Sequence, residues 1–202
     1  MLFRSRVIET PDKANATYRA AMNLQLRDDH PDYVPLVVAN YLIGGSSDSR
    51  LSRRIREQQG ISYSVGSYLS ASSFDAAGEF GVYAIYAPQN RLRLEALVRE
   101  ELQRAYAEGF SEAEVEAAKK GMLQARQVSR AQDRAIAGRL ASHLVLGRTY
   151  AWDAQIDRRI ASLTPREIAD AMKRHMDLSQ LSVVRAGDVS GAAPRAAAGP
   201  SN

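Results

Sequence analysis

The clearest hydrophobic pattern lies near the start of the chain, where apolar and polar residues alternate between Thr17 and Arg27. The apolar positions are Tyr18, Ala20, Met22, Leu24 and Leu26. A period of two is typical of a strand with one buried face.

Two further strands are predicted at 62–72 and 79–86, and the polar turn between them favours antiparallel pairing. On one face the first of these two carries Tyr63, Val65, Leu69 and Ala71. The segment LSVVRAG, after Met176, predicts a last strand.

Helices are predicted between the first two strands. A helix from Tyr33 to Ile43 has Pro35 in its first turn and Gly44 where it should stop. A short charged helix follows, capped by Ser49 and ended by Gly60, which adopts the left-handed conformation without steric cost.

The second half of the chain is largely helical. One helix is predicted from about Asn90 to Glu108, and Ser111 with Glu114 forms a capping box that opens a long helix. We expect this long helix to bend or break at Gly121 or Gly138. Its apolar stripe consists of Val115, Ala118, Met122, Ala125, Val128, Ile136, Leu140 and Leu144.

The order of these elements predicts an α+β fold, with a mainly antiparallel sheet packed against several helices. Shorter helices are expected around 152–160 and after Thr164. Strands and helices do not alternate regularly, which argues against a doubly wound nucleotide-binding fold. We predict one domain over 1–188 and a flexible tail or linker over 189–202, where the sequence is rich in Ala, Gly and Pro.

Composition excludes several classes of protein. With 45% hydrophobic and 25% charged residues, the chain resembles ordinary soluble domains. The 27 basic residues are interleaved with 23 acidic ones, so no nucleic-acid partner is predicted. No apolar run is long enough for membrane insertion. The compartment stays open, with bacterial periplasm and cytoplasm both compatible with the sequence.

The sequence offers no obvious catalytic centre. There is no cysteine, and the three histidines, His30, His143 and His175, are too far apart in sequence to share a helical turn. A Gly-x-Ser-x-Gly motif is also absent. We therefore predict no catalytic residue and no metal ligand within this chain.

Two stretches carry a resemblance to a known family. The segments PDKANATYRAAMNLQLRDDHPDYVPLVVANYLIGG and SRLSRRIREQQGISYSVGS resemble the C-terminal, non-catalytic domain of pitrilysin/insulinase-type zinc metallopeptidases. Relatives of these enzymes include the subunits of the mitochondrial processing peptidase. The resemblance runs from about Arg6 to Asp188 and is densest between Asn40 and Ser67.

The resemblance implies a function that depends on a partner. In this family a catalytic domain with an inverted His-x-x-Glu-His motif binds zinc, and a similar domain without the motif helps to enclose the peptide substrate. In the second kind, an arginine and a tyrosine seven positions later reach the zinc site of the partner. Arg56 and Tyr63 stand in those positions here.

Two other features near this segment are weaker candidates for substrate contact. Gly44 and Gly45 lie where the resemblance places a longer glycine-rich loop of the non-catalytic processing-peptidase subunit, but a helix stop and turn is the first interpretation of them and substrate contact the second. The edge of the strand that begins at Ser62 could also accept an extended peptide as an added strand.

Three functions are compatible with the sequence. The leading interpretation is the substrate-binding half of a peptidase, inactive alone, with zinc in a catalytic domain of the same longer polypeptide or of a separate subunit. The strand-like start RVIET suggests a longer polypeptide. The alternative is a purely structural assembly domain without substrate contact. An independently active enzyme ranks last, because no ligand set for zinc is predicted.

Overall fold

A computed structural model describes residues 5–189, which form one five-stranded mixed sheet and six α-helices. The strands are β1 (Ser5–Glu9), β2 (Ala16–Leu24), β3 (Ser62–Ala71), β4 (Gly78–Tyr86) and β5 (Ser182–Gly187). Their order in the sheet is β1-β5-β2-β4-β3. β1 pairs with β5 in parallel, and the other three pairs are antiparallel. The predicted α+β class with a mainly antiparallel sheet is confirmed.

The helices follow the predicted order. They are α1 (Tyr33–Asn40), α2 (Arg91–Glu108), α3 (Glu112–Ser129), α4 (Asp133–Leu146), α5 (Tyr150–Ser162) and α6 (Pro165–His175). The predicted capping box of Ser111 with Glu114 opens α3, and a second box of Thr164 with Glu167 opens α6, the helix predicted after Thr164.

The two faces of the sheet differ in their exposure. Tyr18, Ala20, Met22 and Leu24 of β2 are buried, as their alternation predicts, and the helices cover this face. The opposite face, here called the open face, is not covered by the described residues. Its large apolar side chains are Ile8, Val184, Tyr83 and Ile85, which are 38–50% exposed.

The first predicted helix consists of two kinds of helix. α1 ends at Asn40, before the predicted end at Ile43, and a π-helical segment, Tyr41–Gly45, continues the helical run past Gly44 to Ser46. A second π-helical segment, Ser52–Gln58, forms most of the predicted short charged helix. The backbone N–H of Ser52 lies 3.4 Å from Oγ of Ser49, which confirms the predicted cap. π-Helical turns are rare in proteins, and those that occur are often found at functional sites.

The predicted long helix is two helices, and neither glycine breaks it. The chain leaves α3 at Arg130 and begins α4 after Gln132, whose backbone is extended. Gly121 lies inside α3, where a Cβ atom would meet the Tyr41 hydroxyl at 2.9 Å, and Gly138 lies inside α4. The second half of the predicted apolar stripe is largely exposed, with Leu144 at 84%.

None of the helices between residues 5 and 189 is long and apolar enough to cross a bilayer. The predicted tail begins at the end of this part, and residues 190–202 lie outside the described residues.

Candidate functional site

Arg56 belongs to the second π-helical segment, which packs firmly on α2. The neighbouring Ile55 is fully buried. Arg54 forms ion pairs with Glu100 and with Glu101, whose side chain is only 3% exposed. The hydrogen bond to Glu101 raises the pKa of Arg54 above its ordinary value, and a charge-assisted bond to a buried carboxylate restricts both partners. These contacts fix the helix on which the exposed Arg56 side chain stands.

The chain reverses direction at Gly60, as predicted. Its φ angle of 61° lies in the left-handed region, which glycine enters without strain. The N–H of Gly60 donates to the carbonyl oxygen of Arg56 at 3.2 Å, and the N–H of Ile61 donates to that of Ile55 at 3.2 Å. These two bonds provide donors for carbonyl groups at the end of the π-helical segment, and they set the direction in which β3 begins.

A β-bulge places Tyr63. On β3, Ser62 faces Tyr86 of β4 and Ser64 faces Ile85, so Tyr63 is an extra residue without a partner on β4. The buried Ser62 hydroxyl lies 2.7 Å from the Ile85 carbonyl oxygen and 3.0 Å from that of Ser64. This hydroxyl therefore ties together the two sides of the bulge.

The bulge overturns one prediction from the alternating pattern. Tyr63 does not share the partly buried position of Val65 and Leu69, because its side chain is 86% exposed. The predicted place of Tyr63 on one strand face with Val65 and Leu69 is therefore wrong. The guanidinium of Arg56 lies over the Tyr63 ring, with its carbon atom 5.5 Å from the ring centroid. The fold thus brings together the two residues that the sequence singled out.

The chemistry of this pair follows from its exposure. The phenol can donate a hydrogen bond to an oxygen that gains negative charge, and the guanidinium offers a planar fork of donors to carbonyl or carboxylate groups. Neither side chain is a nucleophile or a base at neutral pH. The pair can bind and orient a peptide but cannot hydrolyse it.

Gly44 has a packing role that explains why it is glycine. It is buried against β3, and a Cβ atom at this position would lie 2.5 Å from the backbone nitrogen of Ser67. The Ser67 hydroxyl also lies 2.8 Å from Oδ1 of Asn40. The first π-helical segment therefore touches β3 backbone to backbone.

Gly45 differs from its neighbour because it is exposed. The chain that follows it is anchored by Arg50, which donates two hydrogen bonds to Glu114, of 2.8 and 3.0 Å, and one to the Gly109 carbonyl. The Arg50 guanidinium is the main cause that lowers the pKa of Glu114 to about 2. The turn after Gly45 is thus bound to the junction of α2 and α3.

The outer edge of β3 is only partly available for an added strand. β3 is the last strand of the sheet, as the predicted exposed edge requires. However, a Cβ atom on Gly66 would lie 3.0 Å from the carbonyl oxygen of Gly44, so the first π-helical segment packs closely against the middle of β3. This packing restricts the space for an extended peptide next to Gly66.

The histidines are placed away from this segment. All three lie outside residues 44–66, so the segment around Arg56 and Tyr63 supplies no imidazole to a catalytic zinc. His143 of α4 lies 3.0 Å from the Asp153 carboxylate of α5. His30 and His175, 145 positions apart, have ring centroids only 5.1 Å apart. Separation along the sequence could not reveal this second contact.

Comparison with known proteins identifies the family. Residues 3–122 match the family described as the peptidase M16 inactive domain, which is more than half of the chain. The chain belongs to this family, and the resemblance to the non-catalytic domain of pitrilysin/insulinase-type peptidases is confirmed.

The curated relatives include proteins described as zinc proteases and one described as a non-peptidase homolog. The chain is 33% identical over 154 residues to a Streptomyces coelicolor protein described as an uncharacterized zinc protease. This match covers 73% of the chain and 33% of the relative. A Helicobacter pylori relative described as a non-peptidase homolog is 24% identical over 161 residues, or 78% of the chain and 36% of the relative. The chain thus spans about a third of the length of these relatives.

Solved structures share the fold. A peptidase M16 inactive domain from Pseudomonas fluorescens superposes with a TM-score of 0.81 at 23% identity, over 92% of this chain and 44% of that one. A chain of complex III2 from Candida albicans gives a TM-score of 0.74 at 20% identity, over 94% of this chain and 46% of that one.

Proposed function

We propose that this domain is the substrate-binding half of a zinc metallopeptidase and that it completes the active site of a catalytic domain bearing an inverted His-x-x-Glu-His motif. The catalytic domain would lie in the same longer polypeptide or in a separate subunit. Zinc, held by that partner, would supply the activated water for peptide-bond hydrolysis. Arg56 and Tyr63 are the proposed contacts to the peptide.

The observation that carries this proposal is the pairing of Arg56 with Tyr63 on an exposed surface. A tyrosine that is 86% exposed contributes little to the core, yet a bulge and a left-handed glycine position it. The ion pair of Arg54 with the buried Glu101 fixes the helical segment that carries Arg56. Such a rigid support for exposed side chains is what a binding site requires. The tyrosine hydroxyl would donate to the scissile carbonyl oxygen, and the arginine would bind a neighbouring carbonyl or carboxylate.

The two glycines support the proposal to different degrees. The close packing of Gly44 against Ser67 accounts for that residue, so its proposed part is to shape the surface. Gly45 is exposed and remains a proposed backbone contact to substrate.

A second surface is suited to the partner domain. On α4, Leu140, Leu144 and Val145 are 50%, 84% and 76% exposed. We call these three residues the α4 ridge. Exposed apolar patches of this kind mark interaction sites, and we assign this one to the catalytic domain.

The alternative function is a purely structural assembly domain. It is favoured by the likeness to a chain of Candida albicans complex III2. An assembly domain would use the α4 ridge but would have no need for Arg56 and Tyr63.

The test is zinc-dependent peptide hydrolysis by the complete catalytic assembly, compared between wild type, Arg56→Ala and Tyr63→Phe. We expect each variant to lower kcat/KM tenfold or more, which corresponds to about 1.4 kcal/mol of transition-state stabilisation.

Matched controls are available in the same chain. Arg53→Ala removes an exposed arginine from the same π-helical segment, and Tyr150→Phe removes a hydroxyl from α5. Both should leave kcat/KM unchanged. If all four variants keep the kcat/KM of wild type, with folding and zinc content intact, the result would favour the assembly domain instead.

A further inference from the structure

The fold brings three potential metal ligands together where the turn before α1 meets the end of α6. His30 and Asp32 lie in or next to this turn, and His175 is the last residue of α6. One ligand atom from each of the three side chains lies within 4.8 Å of the other two. The contact unites residues that are more than 140 positions apart in the sequence.

The geometry of this cluster is set by Asp32. Its carboxylate is largely buried, and Oδ2 lies 2.9 Å from Nε2 of His175 and 4.0 Å from Nδ1 of His30. Arg174 donates two hydrogen bonds to the same carboxylate, of 2.8 and 2.6 Å. The carboxylate is therefore held in a fixed orientation, as outer-shell partners hold ligating groups in metal sites.

We propose that His30, Asp32 and His175 bind a divalent transition metal such as Zn²⁺ or Ni²⁺. Two imidazoles and one carboxylate are donors that suit these ions, whereas Mg²⁺ and Ca²⁺ prefer oxygen ligands throughout. The metal would take a place between Nε2 of His175 and Oδ2 of Asp32, which now form a hydrogen bond of 2.9 Å. His30 is exposed, and its Nδ1 now accepts a hydrogen bond of 3.0 Å from the backbone N–H of Asp32. To bind the ion, the His30 ring would release this bond and turn by a small movement, since ligand atoms around one metal lie about 3–4 Å apart.

Arg174 opposes the metal as well as orienting its ligand. The guanidinium is a fixed positive charge on the same carboxylate, and it weakens binding of a cation by repulsion. The bound metal would link the turn before α1 to α6 and leave positions open for water. Binding would occur in this chain alone, with or without a catalytic domain, so it does not depend on the proposed function.

The test is calorimetric titration of the 202-residue chain with ZnCl₂, NiCl₂ and MgCl₂ in buffer without chelators. We expect one saturable site for zinc and for nickel, none for magnesium, and a shift of the His30 and His175 ring signals in NMR spectra. His30→Ala and His175→Ala should each weaken binding tenfold or more.

Two further variants make the result decisive. Asp29→Asn, beside the cluster but outside it, should bind as wild type does, and Arg174→Gln should bind more tightly because the competing charge is gone. His30→Ala leaves the Asp32–Arg174 pair intact, so this variant should fold as wild type does. Circular dichroism checks its folding. Absence of saturable binding, or binding that both histidine variants retain, would overturn the proposal.

Discussion

The guanidinium carbon of Arg56 lies 5.5 Å from the centre of the Tyr63 ring, although the two residues belong to different elements. Arg56 stands on a π-helical segment and Tyr63 on a bulged edge strand, with Gly60 reversing the chain between them. An exposed cation–π contact contributes about 0.5–1 kcal/mol, too little to fix the pair by itself. Its geometry therefore depends on the supporting contacts, which can be tested separately.

Loss of the Ser62 hydroxyl should loosen the bulge. Ser62→Ala removes hydrogen bonds to the Ile85 and Ser64 carbonyls, and we expect it to lower the free energy of unfolding by about 1–2 kcal/mol. Urea denaturation measures this change. The control is Ser70→Ala, an exposed position on the same strand, where a loss of similar size would show that the bulge is not the cause.

Adding a methyl group to Gly44 should force β3 away from the first π-helical segment. Because the new Cβ would lie 2.5 Å from the Ser67 nitrogen, we expect Gly44→Ala to destabilise the domain by about 1–3 kcal/mol. Gly45→Ala meets the Asn40 side-chain amide at 2.9 Å, which can move aside, and should cost less. Equal thermal unfolding temperatures for both variants would contradict this packing role.

The Arg50–Glu114 pair should make the domain sensitive to acid. The pKa of Glu114 is lowered to about 2 in the folded chain, so its contribution to stability is fully present above pH about 4.5. This contribution is lost as pH falls toward about 2, and we estimate it at about 1–2 kcal/mol after allowing for solvent screening.

The measurement for this pair is urea denaturation of wild type and Glu114→Gln over the acidic range. The variant should be less stable than wild type near neutral pH, and the difference should shrink on acidification. Glu112→Gln, an exposed carboxylate in the first turn of α3, serves as the control. A difference that stays constant with pH would show that the ion pair contributes nothing.

A charge on the α4 ridge should affect assembly far more than folding. Leu144 is 84% exposed but lies in the last turn of α4, so Leu144→Asp should destabilise the isolated chain by only about 0.3–1 kcal/mol, through the helix dipole. It should weaken association with the catalytic domain tenfold or more. Sedimentation measures association where the partner is a separate subunit, and the unfolding temperature of the whole protein measures it where the chain is continuous.

The control for the ridge is Leu92→Asp, at a residue that is 71% exposed on α2. It should disturb neither folding nor association. If both leucine variants weaken association equally, the ridge is not the docking surface.

Local patterns predicted most of the elements because their causes are local. The alternation at 17–26 and the capping boxes at Ser111 and Thr164 follow from residues that are close in sequence, and the structure confirms them. The break at 130–132 was missed because an extended Gln132, and not a glycine, ends the pattern.

The candidate site was predictable only through the family resemblance. Spacing alone cannot reveal that Tyr63 occupies a bulge, since the strand pattern is unbroken there and the extra residue depends on pairing with β4. The contact of His30 with His175 is likewise created by tertiary packing. The order of residues along the chain therefore predicts neither the bulge at Tyr63 nor the contact of His30 with His175.

The most direct measurement of substrate contact is photo-crosslinking from position 63. A benzophenone side chain replaces Tyr63 in the complete assembly, and the glutamate of the partner's inverted motif is changed to glutamine so that a bound peptide is not cleaved. We predict a covalent adduct with the peptide from position 63 and none from the same probe at position 150. Equal yields from both positions, or no peptide adduct from position 63, would contradict the proposed role of this domain in substrate binding.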